Sequence, residues 1–308
     1  MKNEIKDLLI LSRPEWGFIF SAVAGMLGLF YQLPVLSIFV GWLSIYAFTC
    51  GHFCLNGYYD RHSDSINPRE FSLRNPFVKN SDLQLKHIIV WICFLWSSLI
   101  PINILLIPKS LILSKLVLAF FAFGLAIGGS ILYSIPPIRM KARPFFDLFI
   151  TVIVIGVSVP FYIGLLGNNI LIETNLLIIG IGLSILLVAG IHLPTILTDL
   201  ETDKKIGDIT TAVYLGWNRA SYLTSIIIVL RVVGFALINL YLMSIGILIT
   251  SFMPFIFGVI EIIVASNLAS KKNRNAADIL MKSIISTSSG GAILFGILYS
   301  PILISVYM

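Results

Sequence analysis

The chain has 308 residues, of which 57% are hydrophobic and 12% are charged, and its mean hydropathy is +0.96. A water-soluble domain cannot bury so much apolar surface, so the composition excludes a soluble globular protein and indicates an integral membrane protein. The formal net charge of +6 requires no nucleic-acid partner, because basic loops are usual where membrane proteins meet anionic lipid.

Stretches of about 20 mostly apolar residues predict membrane-spanning helices. Residues 1–15 come first and mix charged groups with Ile5, Leu8 and Leu9, a pattern that favours an interfacial helix. Nine apolar stretches follow, at 16–32, 34–56, 87–107, 111–133, 146–167, 174–198, 220–243, 247–268 and 281–306. The predicted fold is therefore all-α, with nine transmembrane helices.

The distribution of Lys and Arg predicts the orientation in the membrane. With a cytoplasmic N-terminus, the inside segments hold 18 of the 21 Lys and Arg residues. The outside segments hold only Lys109 and Lys115, and Arg231 falls within a helix. We therefore predict a multi-pass protein of the cell membrane whose C-terminus lies outside.

Two acidic motifs stand at the ends of the second and sixth predicted helices, both on the cytoplasmic side. The first spaces Asn56, Asp60 and Asp64 four residues apart, which places them on one helical face, and the second offers Asp199 and Asp203. Mg²⁺ prefers oxygen ligands and commonly takes one or two carboxylates together with phosphate oxygens. The motifs therefore predict a site for Mg²⁺ and a phosphorylated ligand, although either one alone could be a solvated surface.

The two motifs are also related by an equal step along the chain. Asn56 and Asp199 are 143 residues apart, and so are Asp60 and Asp203. This step predicts two parallel four-helix units and a ninth helix, with the motifs facing each other across a central cavity. Chance is the alternative, since the two halves otherwise share little identity.

The loop between the fourth and fifth predicted helices is basic. Pro136 and Pro137 stiffen it, and Arg139, Lys141 and Arg143 follow at alternating positions. Such a loop could bind a diphosphate whose charge the metal only partly neutralises. The alternative is the ordinary excess of positive charge in cytoplasmic loops.

Three motifs in this order, NxxxDxxxD, YSxPPxRxK and DxxxDxxxG, resemble the UbiA superfamily of intramembrane prenyltransferases over nearly the whole chain. The resemblance implies one transmembrane domain over 1–308, a helical bundle around a central cavity, and Mg²⁺-dependent transfer of an isoprenyl group from its diphosphate to a lipophilic acceptor. It assigns metal binding and catalysis to the acidic motifs, with Lys141 stabilising the departing diphosphate. By the same resemblance the residues that contact metal or diphosphate are Asn56, Asp60, Asp64, Asp199, Asp203, Tyr133, Ser134, Arg139 and Lys141.

One segment departs from the family pattern. Many members carry Arg-Pro-x-x-x-Gly after the first motif, whereas this chain has Asn75 and Asn80 at the Arg and Gly positions. Arg74 and Lys79 are the predicted substitutes as diphosphate ligands.

The acceptor is less well defined than the donor. The run 64–69, the Asn75-Pro76 pair and the basic loop are similar to those of prokaryotic, often archaeal, members that resemble lycopene elongases. This favours a geranylgeranyl or other prenyl donor and a carotenoid acceptor such as lycopene. Members that make digeranylgeranylglyceryl phosphate or prenylate quinone precursors share most of the pattern and remain alternatives, as does terpene cyclisation. A transporter with cytoplasmic cation sites is the alternative from a different class.

Three ionisable residues lie deeper in the predicted helices. Arg231 and Glu261 lie at comparable depth, which predicts a salt bridge between their helices; in the alternative, Arg231 recognises the acceptor. His192 precedes Asp199 by seven residues and could be a structural group or could accept a proton from the product cation.

Overall fold

The fold was analysed in a computed structural model that describes residues 2–31, 33–67, 74–98, 112–167 and 174–244, and farther along 260–265, 267, 277, 279 and 280. Within these ranges the chain is helical and contains no strand. The predicted all-α architecture is confirmed.

The described helices have the following bounds: α1 Lys2–Leu11, α2 Pro14–Phe30, α3 Val35–Tyr59, α4 Arg61–Ile66, α5 Leu85–Ser97, α6 Ile112–Ser134, α7 Phe146–Gly164, α8 Thr174–Ile206 and α9 Thr211–Ser244, which is kinked at Gly216. Short 3₁₀ turns cover Pro76–Lys79 and Met140–Ala142. Residues Val152–Val157 of α7 are π-helical, a local widening that often accompanies a functional site.

Among the described residues, four helices are long and apolar enough to cross a membrane: Val35–Tyr59, Leu113–Ser134, Phe146–Gly164 and Thr174–Ile206. They correspond to the predicted spans 34–56, 111–133, 146–167 and 174–198. The predicted spans 247–268 and 281–306 fall largely outside the described residues, as does the second half of 87–107, so the count of nine stays a prediction.

The surface of the bundle carries many large apolar side chains, as a lipid environment requires. Val90 is 68% exposed, Leu113 is 75% exposed and Leu237 is 62% exposed. Inside, helices approach closely where glycine leaves room: a Cβ at Gly51 would lie 2.4 Å from Nε1 of Trp96. The Trp96 indole uses that closeness to donate a hydrogen bond to the Phe48 carbonyl at 3.1 Å.

Helix α1 has two different faces. Leu8 and Leu11 are buried against α3 near Cys54 and Leu55, whereas Leu9 is 48% exposed. The interfacial role of segment 1–15 stays a prediction.

Candidate active site

A cavity of about 200 Å³ lies between the helices. One end is polar and is lined by residues of both acidic motifs and of the basic loop, namely Asn56, Asp60, Asp64, Asp199, Asp203 and Lys141. The remainder is largely apolar and includes Phe20, Phe48, Phe53, Val154, Ile155 and Ile191. The two motifs, 143 residues apart, therefore share one cavity, as their equal step predicted.

The first motif keeps its helical spacing across the boundary between α3 and α4. The Asp60 N–H donates to the Asn56 carbonyl at 2.9 Å, and the Asp64 N–H donates to the Asp60 carbonyl at 2.8 Å. These i to i+4 bonds hold the three side chains on one face, where all three line the cavity.

Asp60 meets the basic loop. Lys141 Nζ forms an ion pair and hydrogen bond with Asp60 Oδ1. A guanidinium nitrogen of Arg139 lies 3.6 Å from the same oxygen and 3.1 Å from Asp208 Oδ2. The loop that was predicted to bind a diphosphate thus lies directly beside the first motif.

Asp64 has different partners, none of which local spacing could identify. Arg13, at the connection between α1 and α2, lies 3.3 Å from Asp64 Oδ2, and Asn75 donates to the same oxygen at 2.8 Å. Burial raises the pKa of Asp64, while the Arg13 guanidinium acts in the opposite direction. The Asn75 amide also donates to the Gly57 carbonyl at 2.8 Å, so one side chain holds the segment after α4 against both α3 and Asp64.

The second motif is linked to the first by an amide. Asn67, the residue after α4, donates to Asp199 Oδ1 at 2.7 Å and also lines the cavity. Asp203 accepts a hydrogen bond from the Thr210 hydroxyl at 3.2 Å. Each of the two carboxylates therefore accepts a hydrogen bond from a neutral donor.

A fully buried carboxylate outside the motifs organises the loops around the site. Asp147, 0% exposed, accepts hydrogen bonds from the Thr211 N–H at 2.8 Å, from the Thr211 hydroxyl and from the Leu148 N–H at 2.7 Å. The Thr211 hydroxyl in turn accepts from the Phe145 N–H at 2.7 Å. We call these contacts the Asp147–Thr211 junction. It joins the start of α7, just after the basic loop, to the start of α9, just after Asp208 and Thr210.

The other predicted contact residues divide into two groups. Tyr133 lines the cavity, and the buried Ser134 hydroxyl lies 3.4 Å from Asn56 Oδ1 as its hydrogen-bond donor. Arg74 and Lys79 are exposed and are absent from the described lining of this cavity. Asn75 between them is buried, and the role of Arg74 and Lys79 as diphosphate ligands stays a prediction.

The predicted intramembrane salt bridge between Arg231 and Glu261 is confirmed. Arg231 is 4% exposed and Glu261 is 0% exposed. Arg231 is not among the described residues that line the cavity, and the ion pair connects two helices.

The charge of the cavity lining bears on metal binding. Among the described residues, five carboxylates line the cavity, those of Asp60, Asp64, Asp199, Asp203 and Asp208, together with two cations, Arg13 and Lys141. Arg139 adds a third cation against Asp60 and Asp208, so these carboxylates outnumber these cations by two. A diphosphate would be repelled by this excess unless added cations offset it. Across the ranges that the structure describes, no three His, Cys, Asp or Glu side chains converge to hold a metal ion by themselves. The oxygen donors therefore fit Mg²⁺ that is shared with phosphate oxygens and do not fit a cage made by protein alone.

Comparison with known proteins identifies the family. The model of the UbiA prenyltransferase family matches residues 16–288. The chain belongs to the UbiA prenyltransferase family. It is accordingly a multi-pass membrane enzyme of the prenyltransferase class, as the three motifs predicted. No curated protein sequence matches the chain significantly.

Solved structures support the same fold. A UbiA homologue from Archaeoglobus fulgidus bound to GPP and Mg²⁺ has a TM-score of 0.66 and 21% identity, over 93% of this chain and 99% of that one. A UbiA homologue from Aeropyrum pernix K1 has a TM-score of 0.65 and 14% identity, over 92% and 98% of the two chains. A digeranylgeranylglyceryl phosphate synthase has a TM-score of 0.59 and 17% identity, over 94% and 99%.

Proposed function

We propose that this UbiA family member transfers a geranylgeranyl or related isoprenyl group from its diphosphate to a lipophilic acceptor within the membrane, with Mg²⁺ as cofactor. The observation that carries the proposal is the division of the cavity into a polar end and an apolar remainder. The polar end suits a diphosphate, and the apolar remainder suits an isoprenyl chain.

At the polar end, the residues that would hold Mg²⁺ are Asn56, Asp60, Asp64, Asp199 and Asp203. When bound, Mg²⁺ supplies the positive charge that offsets the carboxylates and the diphosphate and stabilises the leaving group. This assignment is supported by the excess of carboxylates in the lining and by homologues that bind Mg²⁺ together with GPP or DMAPP.

The chain's own cations act on the same leaving group. Lys141 and Arg139 both face Asp60, so they lie where they can donate hydrogen bonds to a diphosphate as the allylic C–O bond breaks. Farther in, Phe48 and Phe53 line the cavity and exclude water from the developing cation. The Tyr133 ring can stabilise that cation from its face.

The acceptor that we propose is a carotenoid such as lycopene, because the cavity beyond the motifs is mostly apolar. A glyceryl phosphate ether lipid is the second candidate, favoured by the similarity in fold to a digeranylgeranylglyceryl phosphate synthase; a quinone precursor is the third. We further propose that residues 1–308 form one domain whose motifs face the cytoplasm, based on the 18 Lys and Arg residues on that side. Family membership leaves the transporter alternative without support.

The proposal can be tested in liposomes that contain the purified protein, geranylgeranyl diphosphate, Mg²⁺ and one of the three candidate acceptors. Diphosphate release and a prenylated lipid are expected, and Asp60→Ala or Asp203→Ala should reduce both by about 100-fold or more. Chelation by EDTA should stop both, and added Mg²⁺ should restore them. Glu201→Ala is the matched control, since Glu201 lies on the same helix as Asp203 but its side chain is 74% exposed.

Two outcomes would contradict the proposal. Unchanged turnover in folded Asp60→Ala and Asp203→Ala proteins would exclude the motifs from the reaction. The second is a cyclic terpene formed without any acceptor, which would replace transfer by cyclisation.

Mass spectrometry with lycopene, geranylgeranylglyceryl phosphate and a quinone precursor in parallel identifies the acceptor.

A further inference from the structure

The cavity contains a buried imidazole that the proposed diphosphate site does not use. His192 on α8 is 8% exposed and lines the cavity. Its Nε2 atom is buried and has no hydrogen-bond partner among the residues that the structure describes. Because buried polar atoms are normally paired, an unpaired one on a residue that lines a cavity marks a place where a ligand group can complete the bonding.

The position of His192 separates it from the diphosphate end. It precedes Asp199 by seven residues on the same helix. This places it about 10 Å from Asp199 along the helix axis, in the direction away from Asp203. The ring of Tyr133 adjoins it, with centroids 6.4 Å apart, and the same tyrosine ring lies 5.8 Å from that of His52. His192 therefore lies beside the part of the cavity that is left for the reacting carbon and the acceptor.

We propose that Nε2 of His192 accepts the proton that the acceptor loses when it is prenylated. This inference rests on the proposed function and assigns a catalytic residue to its second half. It also limits the acceptor to molecules whose reacting group carries a proton that must leave, either an O–H group or a carbon that regains a double bond.

The step balances as follows. The allylic C–O bond breaks and its electron pair leaves with the diphosphate. An electron pair of the acceptor forms the new bond to the allylic carbon. The proton of the acceptor moves to Nε2 of His192, and the electron pair of the bond that it leaves stays on the acceptor.

The test measures diphosphate release and prenylated product in the same sample, with geranylgeranyl diphosphate, Mg²⁺ and the acceptor found above. His192→Gln keeps a polar side chain of similar size but removes the basic nitrogen. We expect product formation to fall about 100-fold, while diphosphate release continues and the cation ends as prenyl alcohol or as a diene. Asp203→Ala, by contrast, should lose both outputs, so failure of this inference is distinguishable from failure of the proposed function.

A control and a rescue complete the design. His87→Gln is the matched control, because His87 lies on α5 and outside the described lining of the cavity. His192→Ala opens space for imidazole from solution, which should restore product formation at least about tenfold. This second variant also keeps the proposal testable if His192→Gln does not fold.

Three results would overturn the proposal. Wild-type product formation by folded His192→Gln protein would show that no proton passes to His192. An equal fall in product and diphosphate release, without rescue by imidazole, would make the residue structural. If His52→Gln and not His192→Gln separated the two outputs, the proton acceptor would be His52.

Discussion

The Asp147–Thr211 junction provides a prediction whose size follows from its hydrogen bonds. Asp147→Asn removes the charge and replaces one acceptor oxygen by an NH₂ group that faces the Thr211 N–H. Hydrogen bonds to a charged group contribute about 1.5–3 kcal/mol, and a buried donor left unpaired costs about 1–3 kcal/mol. We therefore expect Asp147→Asn to lower the free energy of unfolding by about 2–4 kcal/mol.

Thr211→Val tests the other side of the junction. It removes the hydroxyl that donates to Asp147 and that accepts from the Phe145 N–H. We expect the free energy of unfolding to fall by about 2–3 kcal/mol. Because the two residues share a hydrogen bond, the double variant should lose at least about 0.5 kcal/mol less than the sum of the single losses.

The assay is reversible unfolding in mixed micelles by titration with a denaturing detergent, followed by circular dichroism. Asp82→Asn is the control, since Asp82 is exposed. A substitution at an exposed position should change the free energy of unfolding by no more than about 0.5 kcal/mol. Full stability of Asp147→Asn, or strictly additive losses in the double variant, would refute the assignment of the junction as a shared buried network.

Two further predictions concern packing inside the membrane. Arg231→Leu should destabilise the protein by about 3–5 kcal/mol, because Glu261 is left buried without its partner, whereas leucine at both positions should restore most of the stability; equal losses in the single and double variants would contradict the pairing. Gly180→Ala should lower the free energy of unfolding by about 1–3 kcal/mol, because the added Cβ would lie 2.0 Å from the Tyr31 hydroxyl. Gly182→Ala, with no atom within 4 Å of the added Cβ, should be neutral, and equal effects of the two alanines in thermal unfolding would exclude the close approach.

The helices and the acidic motifs could be predicted because their signals are local. Apolar runs identified α3 and α8, and four-residue spacing placed Asp60 and Asp64 on one face. The helix itself continues beyond the predicted apolar span 174–198, as far as Ile206. Apolarity stops at the membrane border, whereas backbone hydrogen bonding continues through the polar motif.

The partners of the motif residues could not be predicted in the same way. Asn67 reaches Asp199 across 132 residues of sequence, and Arg13 reaches Asp64 across 51. Neither contact has a periodic signature, because it depends on how helices pack against one another. The two hydrogen bonds of Asn75 to Gly57 and Asp64 have the same origin.

Arg13 also shows that the residues of the site are not confined to the range that matches the family. The family match begins at residue 16, yet Arg13 lies before it, lines the cavity and faces Asp64. Asn75, the other side chain on Asp64 Oδ2, is neutral, so among the described contacts of that oxygen the positive charge comes from the N-terminal segment. The residues that line the cavity therefore extend beyond the matched range on its N-terminal side. A shortened chain that began at residue 16 would keep every matched helix and lose the cation that lies against Asp64.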